Sequence, residues 1–227
     1  MKEVMKDFHT HFSKCSENSI CSIDITETKN LSLIKYPFTF GLHPWWLKSE
    51  KNSDDFMRIV QEIISGKYGT ETADNFLGIG ECGLDRLKGA EWGLQKRILA
   101  QVAEFSCEHN LPLVLHCVKA YPEILALRKS VKCDTDWAVH GFNGNLVEAK
   151  KLVEKNIKLS FGGRLLTSEK LRRIFSEIPL SMIFLETDDS DVSIRELYEL
   201  GAELRKMNFS DFSSQIYRNI FNFFAIS

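Results

Sequence analysis

Eight short apolar runs, separated by stretches with helical spacing, constrain this chain more than any other feature. They lie near Val4–Phe8, Ser19–Ile23, Phe38–Leu42, Leu77–Ile79, Leu113–Leu115, Trp137–Val139, Ile157–Ser160 and Met182–Leu185. Each is too short for a helix, and several are rich in branched or aromatic residues, which favours strands. Between them, Phe56, Ile59, Val60, Ile63 and Ile64 follow Ser53-Asp54-Asp55, which offers an N-cap and first-turn acids. Leu94, Ile98, Val102 and Phe105 form one stripe on a helix that must end before Leu111-Pro112. Shorter helices are expected at Leu146–Val153 and Leu171–Phe175. Ser193 to Glu196 has capping-box spacing and opens a helix through about Met207, and Phe212, Ile216, Ile220 and Phe224 line a last one. Strands alternating with helices predict an α/β fold with parallel strands.

No G-x-G-x-x-G or G-x-x-x-x-G-K-[ST] follows a strand, so the two best-known nucleotide-binding sheets lose support. Nor is there an internal repeat or linker, which predicts one domain over 1–227. The chain has 227 residues, 44% hydrophobic and 26% charged, as expected of a soluble globular protein. No uncharged apolar stretch approaches the ~18 residues of a membrane span, and Met1 to Asp7 lacks the apolar centre of a signal peptide. Six cysteines without a C-x-x-C pair then read as reduced thiols of a cytoplasmic protein. From Lys119 to Arg173 there are 12 Lys and Arg against 6 Asp and Glu, within a chain of net charge −2. That basic third suits either a phosphate-bearing partner or ordinary solvated helix faces.

Polar residues gather at the C-terminal ends of the expected strands. The first run leads into His9-Thr10-His11, the third into His43-Pro44-Trp45-Trp46 and the fourth into Glu81. His116, His140 and Glu186-Thr187-Asp188 end the fifth, sixth and eighth. In a β/α barrel this is the face that carries active sites. His9 and His11, two apart on a strand, project to the same side. An isolated H-x-H is weak, but His9, His11, Glu81, His116, His140 and Asp188 on one mouth form a ligand set for a borderline divalent ion. Buried without such an ion or hydrogen bonds, these groups would each cost several kcal/mol. Four imidazoles and two carboxylates suit Zn²⁺, Mn²⁺ or Fe²⁺ better than Mg²⁺.

The motifs Asp7-Phe8-His9-Thr10-His11, Gly41-Leu42-His43-Pro44, Gly80-Glu81-Cys82-Gly83-Leu84-Asp85 and Pro112 to His116 together resemble the TatD-like metal-dependent deoxyribonucleases of the amidohydrolase superfamily. His140-Gly141-Phe142-Asn143-Gly144, Phe161-Gly162-Gly163, Leu185-Glu186-Thr187-Asp188 and Asn219 to Phe224 extend the resemblance to about Asp7–Phe224. The resemblance implies a TIM-type (β/α) barrel and a two-metal hydrolase that cleaves DNA phosphodiester bonds. It implies that His9, His11 and Asp188 hold one divalent ion with Glu81, and that Glu81, His116 and His140 hold a second, Glu81 bridging. Asp188 and Glu81 are then the catalytic carboxylates, and Asp188 takes the proton of the attacking water. A monomer acting on DNA or another phosphodiester, away from membranes, is the expected setting.

Three departures accompany the match. Val118 stands two residues after His116, where the family often has Arg, leaving Lys119 as the candidate phosphate contact. Asp189-Ser190-Asp191 leads quickly into a helix, so the connection after the eighth strand is short. The segment from Ile23 to Phe38 is too short for a full crossover helix between the second and third strands. His43 either touches substrate phosphate or is structural, and Trp45 and Trp46 either stack on a base or cap the barrel. Asp85 reads as a residue that fixes a ligand or loop, and Cys82 and Cys117 as pointing away from the site. Two other functions fit the same residues: hydrolysis of a small amide, ester or lactone, and metal binding without turnover.

Overall fold

A computed structural model describes residues 5–226. Eight parallel strands pair in chain order: β1 (Asp7–His11), β2 (Ser19–Asp24), β3 (Phe38–Gly41), β4 (Phe76–Asp85), β5 (Leu113–Val118), β6 (Trp137–Val139), β7 (Ile157–Phe161) and β8 (Ile183–Leu185). Around them lie α1 (Lys51–Ile64), α2 (Thr70–Asn75), α3 (Trp92–Glu108), α4 (Tyr121–Ser130), α5 (Leu146–Glu154), α6 (Glu169–Glu177), α7 (Ile194–Leu204) and α8 (Phe209–Phe223). The sheet curls until its ends meet: Thr10 bridges Asp188, and the Asp188 N–H donates to the His9 carbonyl at 3.0 Å. Buried Asp7 fastens this seam, accepting from the Thr187 N–H at 3.0 Å and its hydroxyl at 2.6 Å. The architecture is a TIM-type barrel.

Alternation along β1 shows how the sequence builds both layers. Phe8 turns outward, stacking on Phe184 at 4.1 Å and meeting Phe223 of α8 and Phe224 just after it at 5.5 and 5.7 Å, while its neighbour His9 turns to the mouth. Both expected abbreviations are present. A 3₁₀ turn at Ile25–Leu33, with a capping box from Asp24 to Glu27, replaces a helix between β2 and β3. After β8 the chain enters α7 through the Ser193–Glu196 capping box.

Several boundaries differ from the sequence-based expectation. The first strand is Asp7–His11 rather than Val4–Phe8, and Val4 lies outside the described residues. β4 continues to Asp85 because Gly80 and Gly83 interrupt the apolar pattern without interrupting the strand. Helix α1 starts at Lys51, so Ser53 is inside it and bonds Glu50 and Gln101 instead of capping. Helix α7 stops at Leu204. The all-reduced expectation is corrected at one pair: Cys15 and Cys21 are joined in a disulfide, because the tight return from β1 into β2 brings their Cα atoms to 5.5 Å. Cys82, Cys107, Cys117 and Cys133 are free, and no helix among the described residues is long and apolar enough to cross a membrane.

Candidate metal centre

Glu81 is the centre of the mouth. Its strand reaches that position by close backbone contact: a Cβ on Gly41 would sit 2.2 Å from the Glu81 nitrogen, and one on Gly83 would sit 2.0 Å from the His116 carbonyl oxygen. Only glycine permits those approaches. The Glu81 carboxylate, buried, then meets four imidazoles. His116 Nδ1 and His140 Nε2 are each 2.6 Å from Oε1, His43 Nε2 is 3.1 Å from Oε1, and His9 Nε2 is 3.5 Å from Oε2. Asp188 Oδ1 lies 3.1 Å from His11 Nε2 and 3.9 Å from His9 Nε2. Five of the six expected ligands line one cavity, and buried His9 lies beneath it against Glu81, with the His140 ring stacked on His9 at 4.3 Å.

Hydrogen-bond partners orient the imidazole rings. Asp85 accepts from the Trp45 indole at 2.8 Å and faces His116 Nε2 at 3.2 Å, while His116 Nδ1 lies 2.6 Å from Glu81 Oε1, so a carboxylate stands at each ring nitrogen. This is the carboxylate–imidazole arrangement that orients metal-binding histidines. His43 is held by a backbone donor instead. The Trp45 N–H donates to His43 Nδ1 at 3.2 Å, so Nε2 carries the proton and donates toward Glu81.

Charge balance in the mouth also fits a cation. Burial works to protonate Glu81, but His140, His116 and His43 outweigh it and hold its carboxyl well below the usual range. Burial works to deprotonate His140, while Glu81 and Glu186 keep its pKa well above the ordinary value. At Asp188 burial is outweighed by the His11 hydrogen bond and by His140 and His9, leaving it at about 2. The buried carboxylates thus demand positive charge, which a divalent ion supplies in place of imidazole protons. His9 Nε2 has no hydrogen-bond partner although it is buried. Ligand atoms of His9, His11 and Glu81 lie within 4.8 Å of one another, as do those of His9, His140 and Asp188 and those of His43, Glu81 and His116. The residues fit a metal.

The cavity above Glu81 has a volume of about 450 Å³. Trp45 and His43 line it, whereas Lys119 is exposed at the end of β5 and is not on its wall. Lys88 covers one face of Trp45, its ammonium 3.3 Å from the ring centroid; Trp46, half exposed, also lines the cavity. Sequence reasoning gave no role to two residues. Glu186 is fully buried with Oε1 3.6 Å from His140 Nδ1, and Asp24 accepts from the His43 N–H at 3.1 Å. The i, i+2 rule that paired His9 with His11 would have paired Glu186 with Asp188, and Asp24 ends β2 on the same face.

A parallel barrel with histidines and carboxylates gathered at its C-terminal mouth defines the class of metal-dependent hydrolase barrels. Within it, the chain belongs to the TatD related DNase family, whose sequence profile matches residues 11–225. An uncharacterized metal-dependent hydrolase of Haemophilus influenzae is 24% identical over 159 residues, 69% of this chain and 60% of that one. The chain therefore spans only about six tenths of that relative's length. A Vairimorpha ceranae protein named putative deoxyribonuclease TATDN1 homolog is 29% identical over 195 residues, 82% of this chain and 67% of the other. The solved structure of YjjV, a TatD homologue from Escherichia coli, superposes with a TM-score of 0.83 over 100% of both chains at 21% identity.

Proposed function

We propose that this metal-dependent hydrolase cleaves phosphodiester bonds of DNA using two divalent ions that share Glu81. The observation that carries the reading is the single buried carboxylate in contact with His116, His140 and His9, with Asp188 and His11 alongside. His9, His11 and Asp188 would hold one ion with Glu81, and His116 and His140 the other. Bound ions of this kind lower the pKa of water and stabilise charge on attacking and leaving oxygens. Asp188, ionised and only partly covered, accepts the proton of the attacking water. His43 donates from Nε2 to a phosphate oxygen, a role supported by its fixed tautomer. Trp45 forms an aromatic wall for the leaving nucleotide, and Lys119 meets an outer phosphate at the rim. The deoxyribonuclease name of a relative supports the substrate class.

One observation favours a second reading. The cavity wall carries five carboxylates (Asp24, Glu27, Glu81, Asp188 and Asp189) and, among the described residues, no Lys or Arg. Such a mouth favours a small, weakly charged ester, amide or lactone over a long polyanion. Pure protein incubated with single-stranded DNA, a model phosphodiester and a lactone panel, in Mg²⁺, Mn²⁺ or Zn²⁺, separates the two. Nucleotide release supports the nuclease, lactone turnover alone supports the second reading, and inactivity throughout leaves metal binding without turnover.

A further inference from the structure

The turn after β8 brings one more acid to the mouth. Successive side chains on a strand point to opposite sides, so the residue after Asp188 would ordinarily turn away from the site. Here it does not. Asp188 has a φ of 50°, in the left-handed region, and the Ser190 N–H and hydroxyl both donate to the Thr187 carbonyl, at 3.0 and 2.6 Å. That tight turn returns the Asp189 carboxylate to the mouth, where its Oδ1 lies 3.7 Å from His11 Nε2 and it lines the same cavity as Glu81 and Asp188. Lys14 holds the turn from outside, donating to the Asp189 carbonyl at 3.0 Å and the Ser190 carbonyl at 2.6 Å.

Ligand atoms of His11, Asp188 and Asp189 lie within 4.8 Å of one another. Two carboxylates that close repel unless positive charge stands between them. Among the described residues no Lys or Arg pairs with the Asp189 carboxylate, whereas Asp191 pairs with Lys14 at 3.6 Å. Asp188 Oδ1 is 3.1 Å from His11 Nε2 and 3.9 Å from His9 Nε2, which is buried and has no hydrogen-bond partner. A divalent ion among these atoms would meet all four side chains. We propose that Asp189 is a further ligand of the ion held by His9, His11 and Asp188, an inference that rests on the two-ion grouping above. With Glu81 the set then has two imidazoles and three carboxylates, and an oxygen-rich set shifts metal preference toward Mn²⁺.

Mn²⁺ alone is the probe. Protein stripped with a chelator is titrated with Mn²⁺ and the free ion read by electron paramagnetic resonance, in about 0.15 M salt, where exposed charges more than about 8 Å apart are screened. Asp189→Asn should weaken one of the two sites by about tenfold or more, as loss of a supporting group does at metal centres, and leave the other unchanged. Asp191→Asn removes the same charge two residues on and should leave both sites unchanged. Both side chains are largely exposed, so neither substitution threatens the fold. Unchanged Mn²⁺ affinity in Asp189→Asn, or equal weakening in both variants, would overturn the proposal. If the unmodified protein binds one Mn²⁺ only, the two-ion grouping fails, while weaker binding of that ion in Asp189→Asn still upholds Asp189 as its ligand. No uptake of Mn²⁺ would overturn both.

Discussion

Individual side chains in the mouth are assigned different work by their hydrogen-bond partners, and each assignment has a measurable consequence. Asp85 holds His116 by Nε2, so Asp85→Asn loses the charge that fixes the ring and should weaken metal affinity by about 10- to 100-fold, read by titration with Zn²⁺ or Mn²⁺. His43 is locked as a donor, so His43→Ala should retain metal and lower phosphodiester turnover by about a hundredfold, the usual effect of removing one donor to a developing anion. If His43→Ala loses metal in proportion to activity, His43 is a ligand and not a donor. Glu186, placed at the strand end by the sequence but given no role there, stands behind His140 as Asp85 stands behind His116. The reason it was given none is physical: a carboxylate beside an aspartate at a strand end is ordinary, and only its complete burial distinguishes it.

At the scale of elements, the eight strands were readable because each buried run is short, apolar and bounded by polar strand ends. β4 was the least readable, since its function requires glycines where a strand would otherwise show branched residues. Gly83→Ala would drive a methyl against the His116 carbonyl and should disturb the β4–β5 pairing together with metal binding, visible as lower stability and lost metal. The seam between β8 and α8 tests the outer layer independently. Phe223, buried against Phe8 and Phe184, should cost about 3–5 kcal/mol when cut to alanine. Denaturant unfolding measures that loss, and metal content of the folded fraction should stay unchanged because the outer layer is separate from the mouth. The Cys15–Cys21 contact could not be read in advance, because it depends on how tightly the chain returns between β1 and β2.

For the whole molecule, the residues that converge were legible as a set because a parallel barrel sends all strand ends to one face. Their internal grouping was less so. His140 lies against His9 as well as against Glu81, a placement set by barrel curvature and not by spacing along the chain. Lys119 was legible as a cation following β5, yet it faces solvent outside the main cavity. Removing metal with a chelator should abolish hydrolysis, and returning Mn²⁺ or Zn²⁺ should restore it. A metal-free protein of full activity would contradict the mechanism.

The central claim is that one carboxylate serves two ions, and the direct measurement is metal content with phosphodiester turnover in Glu81→Ala and His140→Ala side by side. Loss of a shared carboxylate leaves two cations with less compensating charge in a pocket where their repulsion is strong. Glu81→Ala should therefore lose more metal than His140→Ala and at least as much activity, with both variants folded. A Glu81→Ala protein that keeps two ions and near-normal turnover would contradict the account.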